Sequence, residues 1–87
     1  MTRTFTALEI CQIAFMATEI MESDYNNHKS YFDIRNKCQL ITKGVEKDTI
    51  FTKHDLVKIA LACNLYENAD HIRAVCKYRI DKKNNKK

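Results

Sequence analysis

The chain contains no proline, no tryptophan and one glycine in 87 residues. With Gly44 as the one residue free to take left-handed backbone at no steric cost, nothing breaks a helix except turn chemistry. A sheet protein of this length needs several Gly or Pro turns, so their scarcity argues for an all-α fold. One glycine also leaves no phosphate-cradling loop. No long apolar run is present either. The N-terminal apolar stretch is interrupted by Glu9, Gln12 and Glu19, which excludes a secretory signal core and a membrane span.

Cysteine is present but lacks pairing. Cys11, Cys38, Cys63 and Cys76 lie far apart with no C-x-x-C spacing. They read as reduced thiols, small apolar core residues of a cytoplasmic protein rather than a disulfide frame. Positive charge is also unevenly placed. Of the net +4, residues 81–87 hold +3 and residues 1–80 only +1. A nucleic-acid-binding domain displays its charge on a folded face, and here the excess sits at one end. The reading is one helical domain over residues 1–80 followed by a disordered basic tail, 81–87. Abundant Lys, Asn and Ile without Trp or Pro is what an A+T-rich coding sequence produces, as in large lytic phages and A+T-rich bacteria.

What the chain does contain is a repeated phrase. Phe5-Thr6-Ala7-Leu8-Glu9-Ile10 is echoed by Phe51-Thr52-Lys53-His54-Asp55-Leu56, each followed by Ile-Ala at the same offset. Ile34-Arg35-Asn36-Lys37-Cys38 is echoed by Ile72-Arg73-Ala74-Val75-Cys76. Thr6 with Glu9, and Thr52 with Asp55, have the spacing of a capping box, with Phe5 and Phe51 placed to staple Ile10 and Leu56. The echo predicts a small four-helix domain of two αα-hairpins, with internal duplication as one origin of the match.

The first helix carries a core stripe at Ile10, Ile13, Ala14, Ala17, Ile20 and Met21, widened on one side by Leu8, Cys11 and Phe15. A stripe this wide serves a helix packed on two neighbours, or one that lends a flank to a partner. Glu9, Gln12, Glu19 and Ser23 mark a solvent face, with Met16 among them. The second helix starts in the polar stretch 23–28 or at Ser30, with Tyr31, Ile34, Cys38, Ile41 and Val45 as its seam, an Asp33–Lys37 pair outside, and Gly44 as its terminator. The third runs from Thr52 to about Asn64. The fourth is capped by Asn68 and buries Ala69, Ile72, Val75, Cys76 and Ile80.

The chemistry-bearing residues do not form a site at sequence level. His54, Cys63, His71 and Cys76 lack zinc-ligand spacing, and His71 and Cys76, five apart, point to different sides of one helix. No segment matches a nucleophile elbow or a catalytic cysteine signature. The expectation is a protein that is not an enzyme and needs neither cofactor nor metal.

Charge suggests how it acts. Residues 1–26 set Arg3 against Glu9, Glu19, Glu22 and Asp24, whereas residues 28–43 set Lys29, Arg35, Lys37 and Lys43 against Asp33. Such a dipolar surface steers a protein partner or a head-to-tail homodimer. Met16, Tyr31, Phe32 and Arg35 are the candidate contacts. The expected function is a small cytoplasmic regulator acting by protein–protein binding, an inhibitor or adaptor of the accessory kind that phages direct at host or lysis machinery. The alternative is a nucleic-acid-binding regulator built on a degenerate helix-turn-helix at residues 53–80. It would read DNA or RNA with Asn68, His71, Arg73 and Lys77, and hold phosphates with Lys82 and Lys83.

Overall fold

Both capping boxes form. Thr6, in extended backbone, accepts from the Glu9 N–H at 3.1 Å while Glu9 accepts from the Thr6 N–H at 2.9 Å. Thr52 and Asp55 repeat the exchange at 3.2 and 2.9 Å. Each box satisfies two donors that a bare helix start would leave unpaired. The computed structural model describes residues 4–84. Among them run four α-helices: α1 (Ala7–Ser23), α2 (His28–Thr42), α3 (Lys53–Cys63) and α4 (Asp70–Asn84), with short 3₁₀ turns at Tyr25–Asn27 and Asp48–Ile50. The all-α expectation is met, with no strand among the described residues.

α1 packs most extensively on α2, and α3 on α4. The core joins Ile10, Ile13, Ala17 and Ile20 of α1, Ile34 and Cys38 of α2, Leu56 and Ile59 of α3, and Ile72, Val75 and Cys76 of α4. Between the halves the Phe5 and Phe51 rings meet edge to face, 5.9 Å between centroids at 85°. Beside them the Phe5 N–H donates to Asp48 Oδ2 at 2.9 Å, and Arg79 of α4 donates to the Asp48 carbonyl at 2.9 Å. The Arg79 guanidinium also lies 5.6 Å from the Phe5 ring centroid.

Helix ends explain several departures from the sequence reading. Gly44 does terminate α2, at φ +78, with Gly44 N–H bonded to Ile41 O and Val45 N–H to Leu40 O at 3.0 and 2.9 Å. This is the Schellman pattern, and it throws Val45 out of the seam to 65% exposure. Of the two starts expected for α2, the structure takes the one in the polar stretch, at His28, where Asp24 holds the preceding turn by accepting from the Asn26 N–H at 3.1 Å. Lys37 reaches across to Asp55 rather than along its own helix to Asp33. Cys38, Cys63 and Cys76 are buried as expected, but Cys11 is exposed. Burial pushes the Cys38 and Cys76 thiols up to about 12.

Asn68 does not cap α4. It stands at φ +63, whereas an N-cap requires extended backbone, and the first turn is closed by Arg73 N–H on Ala69 O at 2.9 Å. Asparagine tolerates this left-handed conformation better than residues with an apolar Cβ branch. Asn68→Gly should therefore leave unfolding free energy unchanged or raise it, while Asn68→Ala should lower it by roughly 1 kcal/mol. Urea unfolding of the two variants checks the order. At the other end α4 continues past the expected stop at Ile80 to Asn84, its last turn carrying Lys82 and Lys83, favourably placed at the negative end of the helix dipole. The rest of the expected tail, residues 85–87, lies outside the described residues.

Candidate functional site: the outer face of α1

A helix turns 100° per residue, so Leu8, Cys11, Gln12, Phe15, Glu19 and Glu22 share one strip of α1. The opposite strip is the core face. Nothing covers the outer strip among the described residues: Leu8 is 68% and Phe15 61% exposed. Of the two roles open to so wide a stripe, α1 fills the first by packing on both α2 and α3, and this flank remains exposed beside them.

Beside the strip runs a groove of about 310 Å³. Cys11, Gln12 and Phe15 form one wall, and Tyr66, Glu67 and Asn68 of the α3–α4 connection form the other, with Ile72 also lining it. The left-handed turn at Asn68 sits in this second wall. Burial raises the Tyr66 phenol above its ordinary range, and the Glu19 charge adds to the shift.

Beside the groove, a hydrogen bond between the Glu9 carboxylate and the His71 ring ties α1 to α4. Glu9 thus has two tasks, one oxygen on the Thr6 N–H and the other on the His71 ring. Burial alone would raise its pKa, but the Thr6 backbone bond and His71 together outweigh that and hold it below the usual 4.5. A carboxylate held low stabilises the fold above its unfolded pKa, and that contribution disappears as pH falls through the lowered folded value. Glu9→Gln should therefore flatten the loss of thermal stability on acidification from about pH 5 downward. Melting temperatures of the two proteins from pH 7 to pH 3 measure it.

The expected partner contacts do not gather. Met16 and Tyr31 are in the core, 4% and 5% exposed, lining one internal crevice with Ile59 and Ala62 of α3. Met16 follows Ile13 by three residues and precedes Ile20 by four, so α3 covers the side that spacing from Glu9, Gln12 and Glu19 assigned to solvent. The Tyr31 hydroxyl is satisfied by donating to Lys58 O at 2.8 Å. Phe32 and Arg35 do meet on the outer side of α2, the guanidinium 5.4 Å from the ring centroid. His28 stacks on the other side of that row at 6.1 Å, with Tyr25 6.3 Å beyond.

The expected nucleic-acid residues are divided as well. Asn68 lines the α1 groove, and His71 is engaged by Glu9. Arg73 reaches Asp70 and Cys63 O, each at 3.4 Å. With Lys77 it edges a second groove, against Val57, Leu61 and Ile80. Lys82 and Lys83 are exposed at the far end of α4. Six residues separate α3 from α4, where a helix-turn-helix uses a turn of three or four. No protein-family model, curated protein or solved structure matches the chain.

Leu65, Tyr66 and Glu67 lie between the third and fourth helices, and no local pattern in the sequence marks them as the wall of a groove. The width of the α1 stripe was the available signal for the groove, since it showed that one flank exceeded what an ordinary two-helix seam uses. Among the described residues no three His, Cys, Asp or Glu side chains converge as metal ligands, and no helix is long and apolar enough to cross a membrane.

Proposed function

We propose that this chain is a small non-enzymatic regulator, an adaptor or inhibitor that acts by binding another protein through the outer face of α1. The exposed row Leu8, Cys11 and Phe15 beside an apolar groove carries the reading. Large side chains left uncovered together and flanking a concavity are the usual anatomy of a protein interface. The buried cysteines are free thiols, as a reducing cytoplasm keeps them.

A benzophenone amino acid placed at position 15 in cells of the source organism tests this. It should crosslink one discrete protein on irradiation, whereas the same group at position 83 should not. No discrete adduct at position 15 would overturn the reading. The second reading, nucleic-acid binding, is favoured by Arg73 and Lys77, four residues apart on one face of α4. Anisotropy with duplex DNA and RNA distinguishes it. Affinity that survives physiological salt and is lost in Arg73→Ala and Lys77→Ala supports the second reading. Affinity that vanishes with salt supports the first.

A further inference from the structure

The groove is chemically one-sided. The 17 residues of α1 contain Glu9, Glu19 and Glu22 and no Lys or Arg. The facing connection and first residue of α4, 64–70, contain Glu67 and Asp70 and again no Lys or Arg. Yet the chain has 15 Lys and Arg residues, more than its 11 acids. Among the described residues no Lys or Arg lines this apolar groove, on a protein that is basic as a whole. Glu9 is engaged by His71, but Glu19, Glu22 and Glu67 have exposed side chains around the groove or further along its strip.

We infer that the occupant of this groove is an amphipathic helix of another protein, its apolar side on Phe15 and Cys11 and its flank rich in Lys or Arg against Glu19, Glu22 and Glu67. The inference rests on the protein-binding reading above and adds the chemistry of the partner. Apolar anchors in such a groove supply affinity, and the acidic rim selects among helices of equal hydrophobicity. An acidic helix would meet carboxylates with no cation to offset them, so repulsion adds to the selection. A lone helix pays for its folding only when an apolar face is buried, which suits Phe15 and Leu8 as the seat.

Two labelled peptides of roughly 18 residues, long enough to form a helix on binding, provide the test. Both carry Leu at the same helical positions, one with Lys and the other with Glu elsewhere. Each is titrated into the full chain and read by fluorescence anisotropy. The Leu/Lys peptide should bind at least about tenfold more tightly, against the sign of the protein's net charge. Phe15→Asp, on an exposed position, should weaken it by about tenfold or more with melting temperature unchanged. Glu19→Lys with Glu67→Lys should reverse the preference.

Equal binding of the two peptides, preference for Leu/Glu, or binding indifferent to Phe15→Asp overturns the inference. So does self-association of the chain that is lost in Phe15→Asp, by sedimentation, since a second copy would then own the groove. Peptides without basic preference beside a discrete crosslink at position 15 would remove this inference and leave the protein-binding reading standing. Absence of that crosslink removes the reading itself.

Discussion

Phe51→Ala should lower the free energy of unfolding by about 3–5 kcal/mol. Phe51 is fully buried and meets Phe5 edge to face, so truncation removes core volume and an aromatic contact together. The void cannot close easily, because Phe5 is itself held by its N–H on Asp48 and by the Arg79 guanidinium over its ring. Small domains have only about 5–15 kcal/mol in hand, so the variant should be partly unfolded near its working temperature. Urea denaturation followed by circular dichroism, with Phe51→Leu as the volume-sparing comparison, measures the loss. Phe15→Ala, on the exposed strip, should stay within about 0.5 kcal/mol of the parent. A Phe51→Ala loss as small as that of Phe15→Ala would mean that the two phenylalanines do not join the halves.

Asp48→Ala should cost about 2–3 kcal/mol, the second-largest effect. Its carboxylate accepts the Phe5 N–H and lies 3.5 Å from Arg79 Nη1, with both side chains largely buried. That separation is long for a hydrogen bond, and Arg79 Nη1 has no hydrogen-bond partner. The charge therefore contributes less than a well-formed buried pair. The Asp48 carbonyl continues to hold Arg79 in the variant, which keeps the cost at the lower end. The alanine nevertheless leaves a guanidinium without its counter-charge and a buried N–H without an acceptor. Arg79→Met in the Asp48→Ala background should recover part of the loss, because it removes the orphaned charge. A double-mutant cycle by urea denaturation should show coupling of at least about 1 kcal/mol, and simple additivity would refute the account.

The capping boxes show how far local sequence reasoning reaches. Thr6 with Glu9 and Thr52 with Asp55 were legible because every interaction in a box spans three residues. Their second partners were not. Glu9 reaches His71 on α4, and Asp55 reaches Lys37 on α2, so each helix-start carboxylate also ties its helix to one outside its own sequential pair. Sixty-two residues separate Glu9 from His71. No periodicity within a helix encodes such a contact. The Asp33–Lys37 spacing was equally favourable on paper, and Lys37 took the partner that packing brought to it.

The candidate site divides in the same way. Leu8, Cys11 and Phe15 stood out by spacing as an excess flank, but whether a neighbouring helix covers an apolar flank depends on how helices cross. Met16 and Tyr31 went the other way, drawn inward because α3 lies across α1 and α2 at that point. Tyr66 and Glu67 entered the site only because a left-handed turn at Asn68 folds the connection against α1.

By itself, then, the sequence determined the all-helical class, the sites of both capping boxes, the stop at Gly44 and most of the core, since capping and burial periodicity act within a few residues along one helix. The tertiary structure alone decided which flank stays bare, which carboxylates cross between helices and where the groove beside α1 lies. Those depend on distances between segments far apart in the chain, and only packing sets them.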